Sequence, residues 1–282
     1  MAPERIAVVG DIGEERSMGS VSIERWESYA DKLKALPWIK LYDTYQNLPL
    51  HIKEVKETVN FARERIVNNP DRILVLGSGQ NSIEISTLHK AFDGPEIIAA
   101  DIQPNFLKTL MKRLSKNDKK AFDRTYPVQM DIGKPWRMSI TYDDKKEIKL
   151  NSLPLVFCNI VFNWLTEEEQ VGVFKNVSER LSPDGDFILA TLTDNWDSKE
   201  VKKHVPEQLL KSPFWTFLGA FGSRRWADET AIEFGIHRPS VDFIYQLAAD
   251  NGLEVKNIDE DRIFWKTEGN KPTAIVCHLK KK

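Results

Sequence analysis

The stretch Arg72 to Ser82, RILVLGSGQNS, constrains the fold more than any other part of the chain. Ile73 to Leu76 are all apolar, as in a strand buried on both faces of a parallel sheet. The strand runs directly into Gly77-Ser78-Gly79, and helix-compatible residues follow from Ser82 to Ala91. A strand that turns through glycines into a helix lets a ligand approach bare backbone amides at the helix N-terminus. A lone G-x-G also serves many ordinary strand-to-helix bends, so the residues downstream decide what such a turn would hold.

Those residues alternate between the two periods. Ile97 to Ala100 form a second strand ending at Asp101, and a helix begins near Pro104, where proline suits the first turn. Val128 to Asp131 read as a short third strand and Ser152 to Ile160 as a fourth. Thr166 with Glu169 three residues on is a capping box, which starts a helix closed by Leu181-Ser182-Pro183-Asp184-Gly185. Phe187 to Thr191 form a fifth strand, Val241 to Asp250 a late helix, and Leu253 to Ile258 and Thr273 to Leu279 two last strands. Strands alternating with helices imply right-handed βαβ units. The final two strands, with no helix between them, should pair antiparallel. The expected fold is α/β: a doubly wound, seven-stranded, mostly parallel Rossmann-like sheet with a C-terminal antiparallel hairpin and a helical cap.

Upstream, Ile6 to Gly13 imitates a strand and glycine turn, but Glu14-Glu15-Arg16-Ser17 follow where an apolar helix would start. Residues 1–21 are read as a flexible arm. Residues 22–67 are a helical cap segment with helices over Ser22 to Leu36 and Leu48 to Val67, and 68–193 are the binding core. Residues 194–240, rich in aromatics such as Trp215, Phe217, Phe221 and Trp226, form a cap insertion, and 241–282 complete the core.

Composition closes several routes. A formal charge of −2 with mixed signs offers no footprint for nucleic acid. No apolar run approaches the ~18 residues of a membrane span, and the two cysteines, Cys158 and Cys277, lie in strand-like runs as reduced core residues. The five histidines show no metal-ligand spacing. A cytoplasmic protein is expected, as a monomer or homodimer, with a small-molecule partner.

Four strand ends then line up: Gly77 to Gly79, Asp101, Asp131 and Asn159. Ligands of open parallel sheets sit outside the strand C-termini. VLGSGQNS, IIAADIQPNFL, VQMDIG and LSPDGDFIL together resemble the motifs of class I S-adenosylmethionine-dependent methyltransferases, over roughly Asn60 to Leu279. Leu76 and Gln80-Asn81 depart from the family's usual glycine motif. More narrowly, CNIVFNWLTEEE, SERLSPDGDFILATL and LLKSPFW resemble carboxyl methyltransferases of the trans-aconitate and juvenile hormone acid type, with Asn163 where the juvenile hormone enzyme carries histidine.

The resemblance implies S-adenosyl-L-methionine as cofactor. Gly77, Ser78 and Gly79 would approach its methionine part, Asp101 its ribose hydroxyls, Ile102 its adenine ring, and Asp131 with Ile132 the adenine amino side. The Asn159 carbonyl would face the sulfonium. A carboxylate acceptor is ionised at neutral pH and needs no base; Trp164 and Asn163, with Tyr45 or Gln46, would hold it. The alternatives are methylation of a hydroxyl or nitrogen, with His237 or Glu233 as base, or a catalytically silent binding subunit.

Overall fold

The computed structural model describes residues 7–8, 49–142, 146–196, 237–262 and 271–282. Of the sequence-derived divisions, most of 1–21, residues 22–48 of the cap segment and most of 194–240 lie outside the described residues. So do Tyr45, Gln46, Trp215, Phe217, Phe221, Trp226 and Glu233.

The described strands are β1 (Ala7–Val8), β2 (Arg72–Leu76), β3 (Glu96–Asp101), β4 (Thr125–Gln129), β5 (Ser139–Tyr142), β6 (Lys146–Lys149), β7 (Leu153–Asn159), β8 (Leu181–Leu192), β9 (Leu253–Asp259) and β10 (Ala274–Lys281). The described helices are α1 (Pro49–Arg65), α2 (Ser82–Ala91), α3 (Pro104–Asn117), α4 (Lys119–Asp123), α5 (Glu167–Arg180) and α6 (Val241–Asp250). The main sheet has the order β1-β4-β3-β2-β7-β8-β10-β9. Its seven-stranded body is parallel except for β10, which runs antiparallel to both β8 and β9. The order reverses at β2, between β3 and β7, which places a crevice at the glycine turn.

Alternation along each strand sorts the core into two layers. Leu74, Ile98, Val156 and Leu189 face α5 and α6 through Val173, Phe174, Ile244 and Leu247. Ile73, Val75, Ile97 and Phe157 face α1, α2 and α3 through Val59, Ala62, Ile85, Leu88 and Leu110. Both cysteines are buried in the first layer, and burial pushes both thiols far up. Among the described residues no helix is long and apolar enough to cross a membrane.

Three details differ from the sequence-based expectation. Ala7–Val8 of the expected arm pairs parallel with Val128–Gln129, adding a two-residue eighth strand at the edge. The third strand of the core is β4, Thr125–Gln129, rather than Val128 to Asp131, since Pro127 is tolerated near a sheet edge. Asp131 therefore stands two residues past the strand. As expected, the last two strands pair antiparallel at one edge, with β9 outermost and β10 between β8 and β9; β10 belongs there by its burial. Its residues from Ala274 to Leu279 are buried, whereas β9 is mostly exposed and suits the edge. The third difference is a small hairpin, β5–β6, which buries Ile140 and Ile148 and lies outside the strands expected from the sequence.

Candidate cofactor and acceptor site

The bend after β2 is built from two left-handed glycines, Gly77 at φ 64° and Gly79 at φ 56°. A Cβ on Gly77 would lie 2.3 Å from Val161 Cγ2, so the turn after β7 packs directly on the glycine bend. Ile160 makes that approach possible by taking φ 52°, a conformation costly for a β-branched side chain. Its N–H donates to Ala190 O at 2.9 Å, which holds the bend against β8. Ser78 N donates to Ala100 O at 2.9 Å. The Ser78 hydroxyl oxygen is buried without a hydrogen-bond partner among the described residues.

Asp101 closes the bend from below. Its Oδ2 accepts from Gly79 N at 2.9 Å and its Oδ1 from Gln103 N at 2.8 Å. Burial pushes the carboxyl up to about 6, although both N–H groups favour the ion. One hydrogen bond on each oxygen leaves a carboxylate with further lone pairs for hydroxyl donors. Ile102 follows, half-buried, its carbonyl accepting from Gln129 Nε2 at 3.2 Å. Met130 N donates to Asp101 O at 3.0 Å, so the segment leading to Asp131 lies against the end of β3.

The Asp131 turn is fastened to α5. Asp131 Oδ1 accepts from Gly133 N at 3.0 Å, and Asn176 Nδ2 donates to Lys134 O at 2.7 Å. A Cβ on Gly172 would meet Gly133 O at 2.3 Å, so only glycine lets the helix come this close. Ile132 is 6% exposed and packs in the hydrophobic core beneath this turn.

Beside the glycine bend lies a buried polar network that sequence reasoning missed. Asn159 Nδ2 donates to Glu84 Oε2 at 2.9 Å, and Asn159 Oδ1 accepts from Thr58 Oγ1 at 3.3 Å. His51 Nδ1 and Glu54 Oε2 are 2.8 Å apart, and Asn81 Nδ2 meets His51 Nε2 at 2.9 Å. Asn81 Oδ1 meanwhile caps α2, accepting from Ile83 N and Glu84 N. Burial pushes the Glu84 carboxyl up to about 8, against the Asn159 hydrogen bond and with help from Glu54. The available signal was polar residues on an apolar stripe. Glu54 and Thr58 share the buried face of α1 with Val55, Val59 and Ala62.

The other flank begins where β7 gives way to one turn of 3₁₀ helix, Phe162–Trp164. Asn163 is buried there, with Oδ1 lacking a partner among the described residues, and Trp164 is half-buried. The expected capping box is present: Glu169 N donates to Thr166 Oγ1 at 3.3 Å, and Thr166 N to Glu169 Oε2 at 2.8 Å. One helical position on, the wholly buried Gln170 donates through Nε2 to Phe162 O at 3.0 Å and His237 O at 2.6 Å. Its Oε1 lies 2.9 Å from His237 Nδ1, and His237 N donates to Leu165 O at 3.0 Å. The Phe243 ring meets the imidazole edge-on at 5.0 Å between centroids. Nothing in the sequence singles out Gln170, which reads there as one more polar residue of a helix.

No family model and no curated protein matches the sequence. Solved structures do match. Mitomycin 7-O-methyltransferase MmcR has a TM-score of 0.52 at 11% identity, over 82% of this chain and 55% of that one. Geranyl diphosphate C-methyltransferase from Streptomyces coelicolor A3(2), solved with Mg2+, geranyl diphosphate and S-adenosyl-L-homocysteine, has a TM-score of 0.53 at 9% identity over 79% and 76%. The glycopeptide N-methyltransferase MtfA, complexed with S-adenosyl-L-methionine, has a TM-score of 0.51 at 16% identity over 82% and 95%. The chain thus spans about half the length of the first of these. At such identities the likeness establishes the fold alone, a Rossmann-like sheet.

Proposed function

We propose that the chain is an S-adenosylmethionine-dependent methyltransferase acting on a small, hydrophobic molecule. The observation that carries this reading is the join between the two left-handed glycines and Asp101, whose carboxylate is buried under the bend at 2.9 Å from Gly79 N. The residues present fit the cofactor. Gly77 and Gly79 hold the left-handed bend, the Ser78 hydroxyl oxygen is buried without a described partner, and Asp101 can accept from paired ribose hydroxyls. Asp131, two residues past β4, suits the adenine amino group, with Ile102 against the ring. Bound S-adenosylmethionine supplies a methyl group activated by its sulfonium, so the protein's own task is alignment and exclusion of water.

The acceptor atom divides the reading in two. A carboxylate, the acceptor implied by the narrower resemblance, needs only donors, for which the Trp164 indole N–H and the Asn163 amide on the turn after β7 are the candidates, with Tyr45 and Gln46. A hydroxyl or nitrogen acceptor needs a base, and the His237 ring held by Gln170 favours this second reading. Titration calorimetry with S-adenosyl-L-homocysteine tests the cofactor assignment, and failure of the native chain to bind would leave a silent scaffold. Tritiated methyl donor offered with carboxylic acids, phenols and amines then separates esters from ethers and N-methyl products.

A further inference from the structure

We infer that Gln170 and His237 form a pre-set base, with His237 the proton acceptor and Gln170 the positioning residue, so that the methyl acceptor is a hydroxyl or N–H group rather than a carboxylate. The inference rests on the methyl-transfer reading above.

The amide of Gln170 faces three carbonyl oxygens. Its nitrogen lies 3.0 Å from Phe162 O and 2.6 Å from His237 O, with Leu165 O at 3.5 Å. These atoms are all carbonyl oxygens and cannot donate. The amide therefore has one satisfactory orientation, with N–H toward the carbonyls and Oε1 toward His237. An amide oxygen only accepts, so the imidazole nitrogen 2.9 Å away must carry the hydrogen. A neutral ring protonated on Nδ1 has a bare lone pair on Nε2. Nothing among the described residues hydrogen-bonds to that second nitrogen.

Position supports the role. His237 N is bonded to Leu165 O, one residue beyond Trp164, on the segment whose Val161 lies on the glycine bend. The base is thus anchored to the turn after β7. Asn163 on the same turn offers a buried carbonyl oxygen with no described partner. That oxygen can accept from an O–H or N–H donor. In the step itself the acceptor's electron pair forms the new bond to the methyl carbon. The carbon–sulfur pair remains on sulfur, leaving the thioether, and the acceptor's proton passes to His237 Nε2 and then to water.

The tautomer is measurable without any acceptor. Long-range 1H–15N correlation spectra of the full chain at pH 8 should show the His237 ring protonated on Nδ1, its signals assigned by their loss in His237→Gln. In Gln170→Leu the ring should move toward Nε2–H. A native ring protonated on Nε2 overturns the inference whatever else is observed. With tritiated methyl donor, His237→Gln should lower kcat on phenol or amine acceptors by about 10²–10⁴-fold, with S-adenosyl-L-homocysteine affinity held. Unchanged turnover of those acceptors, or label found only in acids, overturns it as well. Failure of the native chain to bind S-adenosyl-L-homocysteine would instead remove the methyl-transfer reading, and leave the tautomer result standing.

Discussion

Gly79 and Asp101 are joined by a hydrogen bond of 2.9 Å from the glycine N–H to Oδ2, which ties the bend after β2 to the end of β3. Two turns from different strands thus become one cradle, with a buried carboxylate at its base. Removing the carboxylate removes both the cradle's tie and the acceptor for ribose hydroxyls. Hydrogen bonds to a charged group contribute about 1.5–3 kcal/mol each, so Asp101→Ala should weaken S-adenosyl-L-homocysteine binding by at least ~10-fold in calorimetry. The native affinity should also fall as pH drops. Hydroxyl donors favour the ion, binding then displaces a proton from a carboxyl titrating near 6, and below that value affinity declines toward ~10-fold per pH unit. Asp101→Asn should bind weakly with a flat profile between pH 5 and 7. A pH-independent native affinity would detach Asp101 from the cofactor.

How much of this was legible follows from where the information sits. The bend, Asp101, the capping box at Thr166 and helices such as Ser82–Ala91 and Val241–Asp250 are local patterns, and the structure places them where the residues indicate. What the sequence hid is long-range. Nothing local says that β10 enters between β8 and β9, or that Gln170 reaches His237 across 67 positions. The network of Glu84, Asn159 and Thr58 draws on three separate elements, and although Asn159 stands out at its strand end, nothing local joins it to the other two.

Gly77 is the position where the bend tolerates no side chain. Alanine there would hold a left-handed φ, costing about 1–2 kcal/mol, and its Cβ would collide with Val161. Gly77→Ala should lower the thermal midpoint and abolish measurable cofactor binding. In Gly77→Ala/Val161→Gly, which removes the Val161 Cβ at 2.6 Å together with both methyls, the steric part is relieved while the backbone cost remains, so the midpoint should recover in part. A single variant as stable as the native chain would show that the turn after β7 does not press on the bend.

Asp131 provides a test confined to the base of the nucleoside. If its carboxylate accepts from the adenine amino group, Asp131→Ala should lose about 1–3 kcal/mol of binding, or roughly 5- to 150-fold. The same substitution should erase the preference for S-adenosyl-L-homocysteine over its inosyl analogue, which lacks that amino group. A native chain that binds the two equally would free Asp131 for another role, such as holding the turn through Gly133 N.

Glu84 governs the last expectation, which concerns stability and not chemistry. Its carboxyl is pushed up to about 8 from an ordinary 4.5, first by burial, so the folded chain holds this proton through neutral pH. For a group raised on folding, the stabilisation is complete below the unfolded value and is lost as pH rises through the folded one. Glutamine keeps an oxygen to accept from Asn159 Nδ2 and never ionises. Glu84→Gln and the native chain should therefore melt alike near pH 4.5. The variant's advantage should grow from there to about pH 8 and level off beyond. Every tenfold rise in proton affinity on folding corresponds to about 1.36 kcal/mol, so the plateau is several kcal/mol, at roughly 2–4 °C per kcal/mol. Scanning calorimetry across pH 4.5 to 9 reads this directly. Equal midpoints at pH 8.5 would mean that the Glu84 carboxyl ionises at no cost. The packing of α1 and α2 over Asn159 would then be looser than the hydrogen bonds from Thr58 and to Glu84 describe.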